Sequence, residues 1–244
     1  MEQKEWFASW FDTDYYHQLY RNRNDEEAKL FISNLLDFIE LAPNSYLLDL
    51  ACGKGRHSKT LNEFGHNVLG VDLSPNSIAI ASEMTCDTLN FQVHDMREVL
   101  PNQKFHAVFN LFTSFSYFDD TSDNERVCNS MAEMLKENGI LVIDFMNAEK
   151  VIANLVSNEQ KRVDDLLFKI SRHFDGQHIF KRIQFEDKGL EFDFTERVQA
   201  LRLIDFERLL KNRFRILHTF GSFDLKQFDN LTSDRLIIIA QKYK

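Results

Sequence analysis

The stretch Leu47-Leu48-Asp49-Leu50-Ala51-Cys52-Gly53-Lys54-Gly55 decides how this chain is read. Its apolar first half suits a buried strand, and its glycines suit a turn where backbone can approach a ligand closely. A helix is expected next, over His57–Phe64, with the free N–H groups of its first turn facing the glycines. Alone, a Gly-x-Gly turn is as readily a tight connection as a ligand loop. Its surroundings have to decide.

Working outward, short apolar runs recur at Tyr46–Leu50, Asn67–Val71, Leu89–Val93, Phe105–Leu111 and Gly139–Phe145, each suited to a buried strand. Helical segments are expected between them at Pro75–Met84 and Asn124–Glu137. Such alternation implies a parallel sheet covered on both faces. Upstream, Ala28, Phe31, Ile32, Leu35, Leu36 and Ile39 mark one face of a helix over Asp25–Glu40, stopped by Pro43 and Asn44. Downstream, apolar and polar residues alternate in Leu167–Phe174, Ile179–Phe185 and Leu190–Val198, broken at Asp175-Gly176 and Lys188-Gly189, which predicts an antiparallel meander. A helix over Leu203–Lys211 and strands at Phe214–Phe220 and Arg235–Ala240 follow, the strands joined by a loop too short for a crossover helix. The expected fold is α/β: a doubly wound, mostly parallel sheet of about seven strands with a terminal antiparallel hairpin. One domain over 1–244 would carry a helical lead-in at 1–40 and a small antiparallel β insertion at 163–200.

Composition narrows the classes of function. The chain has 244 residues and a formal charge of −9, which opposes a broad phosphate-binding surface and argues against nucleic acid. No run approaches the roughly 20 apolar residues of a membrane span, and the acidic start fits no targeting peptide, so a cytoplasmic, membrane-free protein is expected. Cys52, Cys86 and Cys128 form no Cys-x-x-Cys pairing and read as buried free thiols. The eight histidines show no metal-ligand spacing, so no metal is expected, and no Gly-x-Ser-x-Gly turn is present.

Two further acids give the glycine turn its meaning. Asp72 ends the second strand and Asp95 follows the third, in Val93-His94-Asp95-Met96. Carboxylates at successive carboxyl ends of parallel strands converge on one crevice, where such sheets bind ligands. With Asp-Leu-Ala-Cys-Gly-Lys-Gly at 49–55 and these acids, the chain resembles the class I S-adenosylmethionine-dependent methyltransferases over about residues 45–146. The resemblance implies a Rossmann-like fold, S-adenosylmethionine as cofactor and S-adenosylhomocysteine as its product. It implies that Ala51, Cys52 and Gly53 touch the methionine part, that Asp72 binds the ribose hydroxyls and that Leu73 packs on adenine. Asp95 would accept the adenine amino group, and the Met96 backbone N–H would meet a ring nitrogen. Asp49, Gly55 and Asn110 complete the expected cofactor-binding set. Tyr16 is expected to close over the cofactor; Arg21 or Arg23 would meet its carboxylate, a surface arginine being the default.

In that family the segment Asn110-Leu111-Phe112-Thr113-Ser114-Phe115-Ser116-Tyr117-Phe118 lies between cofactor and acceptor. Phe112, Ser114, Phe115 and Tyr117 are expected to contact the acceptor, with core packing as the alternative for each. The segment lacks the Asn-Pro-Pro-aromatic pattern of adenine-modifying DNA enzymes, which points to a small-molecule acceptor. Methyl transfer needs no covalent intermediate, so no catalytic residue is assigned; Tyr117, His17 and Asp144 are candidate bases. His57 reads as a cap or surface residue. The meander is expected to cover the site and shape the acceptor pocket, or to form a homodimer interface, with Leu190, Phe192 and Phe194 on one face. Arg197 would meet an acceptor carboxylate or phosphate, with an exposed Arg-Glu pair as the default. A nicotinamide oxidoreductase competes for Gly53, Gly55 and Asp72, although Ser58 replaces the third glycine of that fingerprint and Asp95 has no role in it. A protein that binds the cofactor or a metabolite without turnover also stays open.

Overall fold

Burial on both faces makes the central strands. In the computed structural model, which describes residues 6–21, 25–118 and 120–243, Leu47, Leu48, Leu50, Val71, Val108 and Phe109 are fully buried. The chain opens with α1 (Trp6–Trp10), α2 (Asp14–Leu19) and α3 (Asp25–Ile39). It continues through β1 (Tyr46–Leu50), α4 (Arg56–Glu63), β2 (Asn67–Asp72), α5 (Pro75–Ala81), β3 (Leu89–Val93), β4 (Phe105–Asn110), α6 (Ser122–Met134) and β5 (Leu135–Met146). After α7 (Ala148–Ala153) come β6 (Asn158–Val163), β7 (Leu166–Phe174), β8 (His178–Asp187) and β9 (Leu190–Gln199). The last elements are α8 (Leu203–Leu210), β10 (Phe214–Phe220) and β11 (Arg235–Lys242).

The main sheet has seven strands in the order β10-β11-β5-β4-β1-β2-β3, and β11 runs antiparallel to both of its neighbours. On one face α6 and α8 contribute Val127, Met131, Phe206 and Leu210 to the core; on the other α3 contributes Phe31, Ile32 and Leu35, and α4 Leu61. Each such side chain contributes roughly 1.5–3 kcal/mol by leaving water. The mostly parallel doubly wound sheet with its antiparallel ending is therefore the observed fold. Because β1 lies between β4 and β2, its glycine turn is flanked by the loops that leave β4 on one side and β2 and β3 on the other.

Three local expectations change. The helix expected to reach Glu137 stops at Met134, because Leu135 is already extended and pairs with Phe105; Asn138, with positive φ, and Gly139 then redirect the chain. The helix expected to reach Met84 ends as a short 3-10 turn over Ser82–Met84. Of the three cysteines, Cys52 and Cys128 are buried but Cys86 is exposed.

The meander is a four-stranded antiparallel sheet, β6-β7-β8-β9, one strand larger than the alternation predicts. The extra strand, Asn-Glu-Gln-Lys-Arg-Val, lies at the sheet edge and buries only Val163. Its sister strands form a third core from Leu166, Phe168, Ile170, Ile183 and Phe185, closed by Trp10 and Leu19 of the lead-in. Phe192 and Phe194 share a face, as the alternation implies, and that face meets α1 and α2 of the same chain: the Phe194 ring lies 4.4 Å from Trp10 and the Phe192 ring 4.8 Å from Tyr15, both pairs tilted. Leu190, expected beside them, is exposed. Among the described residues, no helix is long and apolar enough to cross a membrane.

Candidate active site

The glycine turn is built from left-handed backbone. Ala51, Gly53 and Gly55 all have positive φ, and the Cys52 N–H donates back to the Val71 carbonyl at 2.9 Å, so the turn lies flat over the end of β2. The two glycines do different work. A Cβ at Gly55 would meet the Phe91 ring at 2.6 Å, so this glycine lets α4 pack on β3. A Cβ at Gly53 would meet nothing within 4 Å: it faces open space. That space is a cavity of about 430 Å³, floored by Ala51, Cys52 and Gly53. Beneath the turn, buried Asp49 accepts a 2.6 Å hydrogen bond from Ser58 on α4. Burial, reinforced by the charge of Asp72, raises Asp49 from the ordinary carboxylate range to about 6. Burial also pushes the Cys52 thiol well above its usual range, so it is no nucleophile at neutral pH.

On the β2 and β3 side two carboxylates reach the same cavity. Asp72 accepts from the Gly53 N–H at 2.8 Å through Oδ2 and from the Ser74 N–H at 2.9 Å through Oδ1; burial raises its pKa nonetheless. A carboxylate has about four lone-pair sites, so each oxygen keeps room for another donor. Asp95 is gripped by Arg97, whose Nη2 lies 2.6 Å from Oδ2 and whose backbone N–H donates to Oδ1 at 2.9 Å. Burial raises Asp95, but the hydrogen bonds and charge of Arg97 outweigh it and hold the carboxyl below its usual range. Leu73 and Met96 line the wall beside these acids.

On the β4 side the loop is held in a strained shape. Phe112, Thr113 and Ser116 have positive φ, which costs a non-glycine residue about 1–2 kcal/mol each. Fully buried Asp144 on β5 stabilises this shape: Oδ2 accepts from the Phe112 N–H at 2.9 Å and Oδ1 from Arg235 Nε at 2.8 Å. Arg235 also donates to Thr113 Oγ1 at 3.0 Å, and the Tyr117 hydroxyl donates to the Thr113 carbonyl. Two of the candidate bases are therefore engaged in shaping the loop. Two guanidinium groups approach the Phe112 ring, Arg56 at 5.3 Å and Arg235 at 5.6 Å from its centroid.

The lead-in forms the remaining wall. Phe11 meets Tyr16 at 4.8 Å and Tyr117 at 5.1 Å, and Tyr16, His17 and Tyr20 of this segment line the cavity. Asp12 fastens the segment to α5 by accepting from Ser74 Oγ at 2.5 Å and from the Asn76 N–H at 3.2 Å. Glu196 on β9 fastens it to the four-stranded sheet, accepting from Trp10 Nε1 at 2.8 Å and from the Tyr20 hydroxyl at 2.8 Å. Lys181 sits 3.8 Å from Glu196 and over the Tyr20 ring at 4.4 Å.

Comparison with known proteins fits this architecture. A family model described as a methyltransferase domain matches residues 41–193, well over half of the chain. The chain belongs to this methyltransferase family. It is 27% identical to YqeM of Bacillus subtilis over 208 residues, covering 81% of this chain and 84% of YqeM. It is likewise 27% identical to a glycine/sarcosine N-methyltransferase of Aphanothece halophytica over 238 residues, covering 90% of this chain and 83% of that protein. Its fold matches the crystal structure of an S-adenosylmethionine-dependent methyltransferase from Clostridium acetobutylicum with a TM-score of 0.79 at 20% identity, covering 94% and 97% of the two chains.

Seen as a methyltransferase, the chain brings most of the expected positions to one place. Ala51, Cys52, Gly53, Asp72, Leu73, Asp95 and Met96 line the cavity, as do Tyr16, Phe112, Ser114 and Tyr117. Five expected contacts stand off it. Asp49 and Gly55 shape the turn from behind; Asn110, fully buried, donates to the Leu50 carbonyl at 3.0 Å and ties β4 to β1. Phe115 packs into the core 5.5 Å from Phe206, and Arg197 lies on β9 outside the cavity lining. Arg21 lines the cavity while paired with Asp164; Arg23 lies outside the described residues. No residue of the β insertion is among the described lining of the cavity; the insertion packs instead on the lead-in, which does line it. Arg56 and His57 on α4 were missed as site residues: His57 is buried, 6.2 Å from Phe112. Their place immediately after the glycine turn was the available signal. No group of three or more His, Cys, Asp or Glu suited to a metal occurs among the described residues.

Proposed function

We propose that this methyltransferase transfers the methyl group of S-adenosylmethionine to a small-molecule acceptor in the cavity at the carboxyl ends of β4, β1, β2 and β3. One observation carries the reading: the carboxyl ends of three adjacent strands, at Ala51–Gly53, Asp72–Leu73 and Asp95–Met96, all open on the same space. The residues fit the cofactor. The volume lies within the roughly 300–1,000 Å³ of ligand sites, Gly53 leaves its face clear, and two carboxylates stand ready for hydroxyl and amino donors. In this assignment Ala51, Cys52 and Gly53 hold the methionine part, Asp72 the ribose, Leu73 and Met96 the adenine ring, and Asp95 its amino group. Tyr16 closes the site.

Bound there, the cofactor supplies a methyl group activated by a sulfonium. The protein supplies orientation and dryness. Phe11, Tyr16 and Tyr117 exclude water and set apolar faces beside the space where the acceptor must align. Of the candidate bases, His17 lines the cavity, and we assign it to take a proton the acceptor releases. The charge of −9 supports a small molecule over nucleic acid, and the glycine/sarcosine relative supports one of amino-acid size. We place the enzyme in the cytoplasm. A homodimer would have to use a surface other than the apolar face of the four-stranded sheet, which its own lead-in covers. Mass spectrometry of freshly purified protein, followed by calorimetric titration, tests the reading: S-adenosylmethionine or S-adenosylhomocysteine should be found bound or should titrate to one site. A nicotinamide dinucleotide in its place, or no heat with either nucleoside, would overturn it.

A further inference from the structure

Two acids in the cavity lining are placed by different means. Asp72 is set by backbone, through the Gly53 and Ser74 N–H groups, whereas Asp95 is set chiefly by a side chain. Arg97, two residues on, reaches back to it with three donors. Its backbone N–H meets Oδ1 at 2.9 Å, Nε lies 3.0 Å from Oδ1 and 3.1 Å from Oδ2, and Nη2 lies 2.6 Å from Oδ2. A carboxylate has about four lone-pair sites, so this grip leaves Asp95 about one direction in which to accept from a ligand. Asp95 lines the cavity; Arg97 is not among the described lining residues and acts on the space through its neighbour.

The guanidinium is itself fixed from two further sides. Nη1 donates at 2.9 Å to Asp123 in the first turn of α6, and Asp123 is held in turn by Arg126 Nη1 at 2.8 Å. The guanidinium carbon lies over the Phe118 ring, 4.9 Å from its centroid. The side chains of Arg97 and Asp123 are only 14% and 12% exposed, so solvent screens the pair little. A planar fork held along its edge by two carboxylates and on its face by a ring cannot turn without breaking one of these contacts. Asp95 thereby takes its orientation from α6 and from the loop after β4.

Resting on the cofactor assignment above, we propose that Arg97 is a positioning residue that sets the base specificity of the site: it clamps Asp95 so that its remaining lone pair meets the exocyclic amino group of adenine and refuses hypoxanthine. Hypoxanthine carries a carbonyl oxygen where adenine carries that amino group, and an N–H on the neighbouring ring nitrogen. A carboxylate free to turn could follow the N–H. A clamped one faces the oxygen, lone pair against lone pair. Releasing the clamp weakens the right base and forgives the wrong one.

The probes are S-adenosylhomocysteine and S-inosylhomocysteine, titrated by calorimetry against the full-length protein. The wild type should bind the adenine compound at least about thirtyfold more tightly. In Arg97→Met that preference should shrink below about fivefold, and in Arg97→Lys, which keeps the charge but not the fork, below about tenfold. Asp123→Asn, which keeps Arg97 but weakens its anchor, should lower the preference about threefold. A merely structural Arg97 would cost both nucleosides equally, and that outcome in the variants would overturn the proposal. Equal binding of the two by the wild type would overturn it as well, and this comparison decides even if the Arg97 variants fail to fold. Failure of S-adenosylhomocysteine to bind the wild type at all would instead sink the cofactor assignment.

Discussion

The two walls of the cavity are made in opposite ways. The wall above β1, β2 and β3 comes from residues within a few positions of a strand end, held by bonds within and between neighbouring strand ends: Ser74 N–H to Asp72, 2 positions apart, and Gly53 N–H to Asp72, 19 apart. The wall formed by the lead-in depends on partners far along the chain: Trp10 to Glu196, 186 positions apart, and Tyr20 to Glu196, 176 apart. The first wall is rigid because it is part of the sheet. The second rests on the four-stranded sheet that packs against it, none of whose residues is among the described lining of the cavity.

If this contrast is right, damage to the first wall should remove binding and damage to the second should only loosen it. The largest effect is expected from Gly53→Asp. The new side chain would fill the open space above the turn, so S-adenosylhomocysteine affinity should fall at least about a hundredfold by calorimetry. The melting temperature should drop little, since Asp tolerates left-handed backbone. Gly55→Ala should do the reverse, costing roughly 2–4 kcal/mol of stability through its clash with Phe91. Equal behaviour of the two variants would erase the distinction between a ligand glycine and a packing glycine.

Next in size is Asp72→Ala, expected to weaken the nucleoside by roughly 1–3 kcal/mol through lost charge-assisted bonds to hydroxyls. Unchanged affinity with lowered stability would make Asp72 a mere cap for Gly53 and Ser74.

Asp49 provides a pH test of the same wall. Its folded pKa, about 6, lies above the unfolded value near 3.8, so its protonated form is the one the fold favours. The associated stability is fully present below about pH 4, declines as pH rises through 6 and is gone above it. Asp49→Asn, which keeps an acceptor for Ser58, should therefore gain on the wild type by about 3 kcal/mol at pH 7.5 but not at pH 4, measured by urea denaturation. A gap that does not change with pH would contradict the burial of a charge under the turn.

The smallest effect on binding is expected from Glu196→Ala. Trp10, Tyr20 and Lys181 would lose their common partner. Nucleoside affinity should fall about fivefold, near 1 kcal/mol, with faster deuterium exchange across residues 6–20. A loss as large as that of Gly53→Asp would show that the lead-in is a binding wall in its own right.

The same contrast explains what could be read from the sequence. The first wall was legible because its signals are local: an apolar run, two glycines, and acids at strand ends. The seven-stranded sheet followed from the same runs. The second wall was not, because nothing near Trp10 or Tyr20 announces Glu196. Strand β6 escaped notice since an edge strand that buries only Val163 has no apolar alternation to show. Asn110 and Phe115 were expected in the site because their segment is; which side of the loop each takes is set by Asp144 and Arg235, distant in sequence. His57 read as a cap or surface residue because the ring of Phe112, 6.2 Å away, comes from the distant loop after β4.

Hydrogen–deuterium exchange of the full chain with and without S-adenosylhomocysteine tests the central claim most directly. Slowed exchange is predicted at residues 50–54, 72–74 and 94–97 together, with a weaker effect at 14–21 and none on the strands of the four-stranded sheet away from Glu196. Protection confined to the four-stranded sheet, or absent from the three strand ends, would contradict it.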